Sequence, residues 1–427
     1  MQRLNVFQSL MRHWERLGSY NAAQAMILRA DVGAMSLEAS LTRAFREAGV
    51  GNLRVDGDRY ELFPPEQTVP VRRGYVGGSL ESHLADGLNQ PFDDRQLPFR
   101  PFVVEEPGHV VAGIVYRHWV ADSVSIRSLM RRWLTLAIEP HAVPEPPAPP
   151  LPGGYWHCAG PKHRAWSLLQ GALDQARLSW ELKRVRRLAG ELSSSPSWSF
   201  RLLRLPEGTP ARLRSAARSL GATVNDLLLA CAARTVGELL PLDRVRSRPK
   251  LALGTIVDLR RSCGIDDAPF GLLLGFMQSV WRADELVDLT RAVRAAARCS
   301  TLARQRWHAQ SCQLRMAIGL QLFRRWSVGK MVRFYRKRLP LAGGISNVNL
   351  DGSWVAARYP GVVLDYLRVS PTGPMMPLVF TPTTLRERMN VGFTWQRQCL
   401  GDETAARIAA AFVARIDEAL RETQARA

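Results

Sequence analysis

The sequence predicts an α/β fold in two parts. Its 427 residues exceed the usual size of a single hydrophobic core, so two units of about 200 residues each are expected. Apolar residues make up 46% of the chain and charged residues 22%, a balance that lets both units be well packed. Strand-like and helix-like patterns follow one another, with several strand-like runs late in the chain, which favours mixed sheets over strict βαβ winding.

The first half contains an amphipathic helix followed by a hairpin. Ser36 opens a segment with apolar residues at helical spacing, and the segment closes at Gly49. Residues 52–63 alternate in polarity around the turn Asp56-Gly57-Asp58, which is the pattern of a β-hairpin.

A proline-rich run and a serine-rich break separate the two halves. Residues 139–163 form a connection whose prolines must be extended and cannot join a sheet interior. Helical character returns over 164–188 and is broken at 193–197. We therefore expect an N-terminal unit over 1–192 and a C-terminal unit over 198–427.

The second half alternates strands with helices. Strands are predicted at 198–205, 251–259, 272–281, 341–345, 362–369, 378–381 and 389–395, and helices at 210–220, from Thr223 or Asn225 to 239, at 286–304 and at 403–420.

The most informative tract sets an imidazole and a carboxylate four residues apart. His118 follows directly on the apolar run 110–115, which would bring its ring to a strand end, a common place for chemistry. Apolar residues then repeat at helical spacing over 126–134, so Asp122 or Ser123 is expected as the N-cap of a helix.

Residues 117–123 resemble the active-site motif His-His-x-x-x-Asp-Gly of the CoA-dependent acyltransferase superfamily, which includes nonribosomal peptide condensation domains, wax ester synthases and chloramphenicol acetyltransferase. His118 and Asp122 match the second histidine and the aspartate, whereas Arg117 and Ser123 replace the first histidine and the glycine. Three later stretches are similar to superfamily motifs in the expected order, namely Asn225-Asp226, Val257-Asp258-Leu259-Arg260 and Ser346-Asn347-Val348.

The resemblance implies two chloramphenicol acetyltransferase-like subdomains, each a mixed sheet flanked by helices, with a channel between them. It implies an acyltransferase that moves an acyl group from a CoA or carrier-protein thioester to a hydroxyl or amine acceptor. No bound cofactor is expected. A freestanding condensation-type amide synthase is one alternative. A non-catalytic binding or scaffold protein is another, favoured by the departures at Arg117 and Ser123.

His118 is the expected general base, because a neutral imidazole has an ordinary pKa near working pH. The alternative is a buried histidine at a strand end. Asp122 is expected to anchor the loop by an ion pair rather than to join a charge relay. The resemblance implies an arginine partner, for which Arg260 is a candidate, and the alternative is a plain N-cap.

Six further residues are candidates for lining the substrate channel. Ser346 and Asn347 could donate to an oxyanion or belong to a turn, and Asn225 and Asp226 could face the channel or cap a helix. In an extended segment the side chain of Arg117 would point away from that of His118. Ser123 adds a β-carbon where the superfamily has glycine, and the alternatives are a narrowed channel or a specialised acceptor.

The net charge of +20 predicts attraction to anions such as CoA phosphates or an acidic carrier protein. The alternative is that the arginines, which are spread along the chain, reflect genome composition and are mostly solvated. A basic and aromatic stretch over 322–338 could lie on an anionic membrane, and its alternative is a helix with one packed and one solvated face. No specific nucleic acid partner is expected. The six scattered cysteines argue against a metal site and a disulfide framework. The apolar runs are too short for a membrane span, and a cytoplasmic protein is expected, with contact at the inner membrane surface an open alternative.

Overall fold

A computed structural model describes residues 1–94, 97–151, 164–188, 196–240, 242–243, 248–338, 340–374 and 376–425. Residues 152–163, about half of the predicted connection, and residues 193–195 of the predicted boundary lie outside these residues.

Strands and helices alternate along the chain. The strands are β1 (Gln2–Arg3), β2 (Asn21–Arg29), β3 (Asn52–Asp56), β4 (Arg59–Phe63), β5 (Arg72–Arg73), β6 (Phe99–Glu106), β7 (His109–Arg117), β8 (Arg187–Leu188), β9 (Trp198–Arg204), β10 (Leu242–Asp243), β11 (Lys250–Asp258), β12 (Leu274–Arg282), β13 (Gly343–Ile345), β14 (Val348–Asn349), β15 (Val363–Val369), β16 (Leu378–Leu385) and β17 (Arg388–Gln396). The helices are α1 (Val6–Trp14), α2 (Ala34–Ala48), α3 (Leu80–Asn89), α4 (Ser123–Ile138), α5 (Arg164–Leu182), α6 (Thr209–Ser219), α7 (Val224–Leu239), α8 (Leu289–Gln305), α9 (His308–Phe323), α10 (Val328–Arg338), α11 (Trp354–Ala357) and α12 (Asp402–Gln424).

The chain divides into two compact units. The first consists of Met1–Cys158, Asp258–Leu274 and Asn349–Pro371, and the second of Ala159–Val257, Gly275–Val348 and Thr372–Ala427. These units do not follow the continuous limits 1–192 and 198–427, because two later segments pack with the first unit. One of them carries Arg260, and the other adds β15 to the sheet of the first unit.

The first unit is built on a mixed sheet with the strand order β15-β2-β7-β6-β5. The neighbours are antiparallel except β5 and β6, which are parallel. Side chains alternate between the two faces, so Tyr116 of β7 lies on the face covered by α4, whereas Val115 faces Gly87 of α3. Gly113 permits close packing here, since a β-carbon would lie 2.3 Å from the ring of Phe102.

The second unit is built on a larger mixed sheet with the order β12-β11-β13-β16-β17-β9, to which β14 adds by pairing with β16. β13 is parallel to both β11 and β16, and β17 is antiparallel to both β16 and β9. The ring of Phe380 in β16 stacks on Phe412 of α12, with centroids 4.2 Å apart, which joins the helical layer to the sheet.

The predicted elements agree with the structure at most positions. The helix that opens near Ser36 is capped at its C-terminal end by Gly49, which has a left-handed φ of 71°. The hairpin over 52–63 is formed by β3 and β4. The mixed α/β architecture, with sheets flanked by helices, is confirmed. The cysteines depart from the prediction at one position, because Cys263 is disulfide-bonded whereas Cys231, Cys299, Cys312 and Cys399 are free.

The basic and aromatic stretch forms the end of α9 and all of α10. Met331 and Tyr335 are buried, while Lys330, Arg333 and Lys337 are exposed. This is the arrangement of a helix with one packed and one solvated face. Among the described residues, no helix combines the length and apolar character needed to cross a bilayer.

Candidate functional site

His118 is the first residue after β7, in the first unit. Its backbone N–H donates to the carbonyl of Tyr20 at 3.1 Å, which continues the pairing of β7 with the chain before β2. The ring stacks on that of Tyr20, with centroids 5.7 Å apart, and meets the ring of Tyr116 edge-on at 5.9 Å. Two aromatic neighbours therefore hold the imidazole at the predicted strand end.

The environment of the ring keeps it neutral. Burial lowers the pKa of His118 to about 4, against smaller opposing effects of the Ala121 carbonyl and the Asp122 charge. Nδ1 lies 3.4 Å from the carbonyl oxygen of Ala121, which can only accept, so the ring proton is assigned to Nδ1. Among the described residues Nε2 has no hydrogen-bond partner, and the side chain is only partly buried. The unprotonated nitrogen is thus available to take a proton.

Asp122 anchors the loop after His118. It is the N-cap of α4, where Oδ1 accepts from the backbone N–H of Val124 at 3.1 Å and from the backbone and hydroxyl of Ser125 at 3.0 and 3.2 Å. Oδ2 accepts from the backbone N–H of Leu273 at 2.9 Å and from Arg260 at 2.6 Å. Among the described residues, no hydrogen bond joins this carboxylate to the His118 ring.

The partner of Asp122 is Arg260, the candidate named from the sequence. Both side chains are buried, with relative exposures of 1% for Arg260 and 0% for Asp122. Burial alone raises the pKa of Asp122, but the Arg260 charge and the hydrogen bonds lower it overall, so the pair is ionised. Arg260 also donates to Asp258 at 3.3 Å and to Ser125 at 3.2 Å. Asp122 is therefore both the N-cap of α4 and the ion-pair partner of Arg260.

Ser123 is the first residue of α4 and accepts hydrogen bonds from two arginines. Arg127 of the same helix and Arg368 of β15 each place a guanidinium nitrogen 3.1 Å from Ser123 Oγ. Gln24 of β2 donates to the backbone carbonyl of Ser123 at 3.2 Å and accepts from the hydroxyl of Tyr366 at 2.5 Å. The residue that replaces the motif glycine thus accepts three hydrogen bonds from side chains of the first unit.

Arg117 lies on the opposite face of β7 from Tyr116 and from the polar residues around Ser123. Its guanidinium forms a bidentate pair with Glu15, at 2.8 and 2.7 Å, and also contacts Asp94. Its side chain is buried and packs over the ring of Trp119. The direction away from His118 agrees with the alternation of an extended strand. Arg117 therefore has a packing role within the first unit, and the structure does not bring it to the imidazole.

The remaining candidates lie in the second unit. Asp226 forms a capping box with Thr223, accepting from its hydroxyl at 2.7 Å and its backbone N–H at 3.0 Å, which is the helix-cap alternative. Its neighbour Asn225 is partly buried in the first turn of α7. Ser346 follows β13 and is buried, with its N–H donating to Phe380, and the buried Oδ1 of Asn347 has no hydrogen-bond partner among the described residues.

Sequence reasoning missed four polar residues that lie around Ser123. Arg127 could have been predicted, because it follows Ser123 by four residues in a predicted helix and therefore lies on the same face. Gln24, Tyr366 and Arg368 share one face of β2 and β15, but only the antiparallel pairing of these strands brings them together, with Arg368 opposite Gln24. Nothing local in the sequence marks that pairing.

The low pKa of His118 predicts a pH-dependent loss of stability. The folded protein keeps the ring neutral down to about pH 4, whereas the unfolded chain protonates it near 6.5, so the unfolded state binds more protons between these values. The contribution of the neutral ring is complete above pH 6.5 and is lost as the pH falls toward 4. Between pH 7.5 and 4.5 the wild-type protein is expected to lose about 2 kcal/mol more unfolding free energy than a His118→Asn variant, a value discounted for partial exposure.

Urea unfolding of both proteins at the two pH values measures this difference directly. Equal losses for the two proteins would show that the ring is not protected from protonation in the folded state.

Neither a family model nor a curated protein matches this chain. Solved structures do match it. The first condensation domain of the calcium-dependent antibiotic synthetase, in complex with a substrate analogue, has a TM-score of 0.68 at 15% identity, covering 98% of this chain and 96% of that one. The condensation domain of the Monacolin K polyketide synthase MokA has a TM-score of 0.65 at 12% identity, covering 98% and 96%.

This protein has the condensation-domain fold. The likeness extends over nearly the whole chain, and at these identities it is a likeness of fold. A third structure with this fold is the X-domain from teicoplanin biosynthesis, with a TM-score of 0.60 at 20% identity, covering 99% of this chain and 96% of that one. Another structure of that X-domain is of its complex with OxyB.

Proposed function

We propose that the protein is an acyltransferase that moves an acyl group from a CoA or carrier-protein thioester to a hydroxyl or amine acceptor. The observation that carries the proposal is the neutral ring of His118 at the end of β7, with Nδ1 turned to the Ala121 carbonyl and Nε2 unbonded within the described chain. A condensation-domain fold supports this reaction class by analogy.

His118 would act as the general base. As the acceptor oxygen or nitrogen attacks the thioester carbonyl carbon, Nε2 takes the acceptor's proton, and the tetrahedral intermediate then collapses with loss of the thiolate. The protonated ring returns the proton to the leaving sulfur, so the products are the acylated acceptor and a free thiol. No acyl-enzyme intermediate is required, because the thioester already carries a good leaving group.

The anchored loop would keep the base in place during this cycle. Asp122 ties the start of α4 to Arg260 and to the backbone of Leu273, which holds the chain between His118 and the helix. The Ala121 carbonyl, in the same short segment, sets the ring tautomer. Asp122 is therefore proposed as a positioning residue, acting through the loop rather than on the proton.

The proposal is tested by measuring free thiol after the purified protein is mixed with acyl-CoA or with an acylated carrier protein, each with and without hydroxyl or amine acceptors. Thiol release that depends on an acceptor supports acyl transfer. Release from the carrier only, with an amine acceptor, would favour the freestanding condensation-type amide synthase. A net charge of +20 suits an acidic carrier. Acceptor-independent hydrolysis alone would contradict the proposal.

A non-catalytic binding protein is the second candidate. The fold similarity to an X-domain, which has been solved in complex with OxyB, favours it, as do Arg117 and Ser123 in place of the motif histidine and glycine. This candidate predicts no acceptor-dependent thiol release from either donor. It also predicts that His118→Ala leaves the cellular phenotype unchanged.

A further inference from the structure

Two arginines donate to the hydroxyl of Ser123, five residues after the proposed base. Arg127 and Arg368 both lie 3.1 Å from Ser123 Oγ, so their guanidinium groups are close neighbours. The two donors occupy both lone pairs of the hydroxyl, which leaves its own proton free to donate. The N–H groups at the start of α4 are not involved, because Asp122 already accepts from them.

Arg368 is charged near pH 7. Burial, followed by the neighbouring charge of Arg127, lowers the pKa of Arg368 to about 10, which still leaves it protonated. Arg127 is partly exposed, and among the described residues its guanidinium contacts no carboxylate and bonds only to Ser123. Holding two like charges together in a partly buried place is unfavourable, and a bound anion would offset that repulsion.

The pair lies close to the imidazole. The charge of Arg368 acts on His118 and lowers its pKa, while both arginines act on Tyr116, whose ring meets His118 at 5.9 Å. Guanidinium groups present planar sets of N–H donors that match the oxygens of a carboxylate or a phosphate. An anionic group held here would therefore lie in the same part of the first unit as the His118 ring, with Tyr116 between the arginines and the imidazole.

We propose that Arg127 and Arg368 bind a carboxylate or phosphate group of the acceptor, with the hydroxyl of Ser123 as a further donor. Ser123 then has a reason to replace glycine, since its Oγ orients both guanidinium groups. The identification of the bound molecule as the acceptor rests on the proposed function, because it is the acceptor whose proton His118 would remove. The anion site itself rests only on the side-chain geometry.

The test is a titration of the full-length protein with inorganic phosphate, and separately with acetate, followed through the imidazole NMR signals of His118. A saturable shift is expected with at least one of the two anions, and the one that binds more tightly indicates which group the acceptor carries. Arg127→Gln is expected to weaken that binding at least tenfold. Arg127→Lys, which keeps the positive charge but lacks the planar set of guanidinium donors, is expected to weaken it less. Arg59→Gln, the same change at an exposed arginine of β4, is the matched control and should bind like wild type.

Two outcomes would overturn the inference, namely no saturable shift in the wild-type protein, or equal anion affinity in the wild-type and Arg127→Gln proteins. These are independent of turnover, because the titration contains no thioester. Failure of the thiol-release assay with an intact anion response would remove the acyltransferase proposal and leave the anion site. Thiol release without an anion response would remove the anion site and leave the acyltransferase proposal.

Discussion

The His118→Asn variant is expected to release thiol about 10²–10⁴-fold more slowly than the wild-type protein in the presence of acceptor. Asparagine suits this test because its side-chain amide can still donate to the Ala121 carbonyl, as Nδ1 does now. What it lacks is a basic nitrogen at the position of Nε2. The expected loss is therefore in proton transfer, with the loop and the start of α4 intact.

The measurement is acceptor-dependent thiol release under conditions that give kcat and kcat/KM separately. His141→Asn is the matched control, since His141 is exposed in the segment after α4 and should leave the rate unchanged. If His118→Asn retains more than about a tenth of the wild-type rate, the imidazole is not the base.

The same assay has a pH signature. A base with an ordinary histidine pKa would lose activity as the pH falls through about 6.5. Because the pKa of His118 is lowered to about 4, the neutral form persists, and kcat/KM is expected to change little between pH 7.5 and 5. The low pKa also makes the ring a weaker base, so the rate depends on how closely the acceptor is held. A fall in kcat/KM centred near 6.5 would mean that the ring is hydrated in the free protein.

The core of the candidate site could be predicted from the sequence because its signals are local. An apolar run that ends at His118 predicts a strand end, and a helical repeat that begins after Asp122 predicts an N-cap; the structure has both features. The alternation of side chains along β7 also predicts that Arg117 points away from His118, where it pairs with Glu15.

The residues that complete the cluster depend on long-range pairing. Arg368 reaches Ser123 only because β15 pairs with β2 across more than 300 positions of the chain, and Arg260 reaches Asp122 from a segment between two strands of the second unit. Neither arginine is distinguished from its many neighbours by type, since the chain has 58 lysines and arginines. The order of motifs pointed to Arg260, whereas no motif pointed to Arg368.

Replacing Arg260 is expected to have the largest effect on stability. Arg260→Met keeps much of the side-chain volume but leaves the carboxylate of Asp122 buried without its counter-charge, which costs about 3–5 kcal/mol of unfolding free energy. The hydrogen bonds from Leu273, Val124 and Ser125 remain and keep the loss from being larger. Urea unfolding at pH 7.5 measures the change, and Arg261→Met, at the exposed next residue, is the matched control with an expected effect within about 0.5 kcal/mol.

A second variant separates loss of charge pairing from loss of packing. With Arg260 gone, the pKa of Asp122 rises above its unfolded value, so the deficit should shrink as the pH falls and the buried carboxyl takes up a proton. In the double variant Asp122→Asn/Arg260→Met neither member of this pair is charged, and part of the lost stability should return at pH 7.5. If the deficit of Arg260→Met is the same at pH 7.5 and pH 4.5, and the double variant is no more stable, then the arginine stabilises the first unit by packing alone and Asp122 serves only as the helix cap.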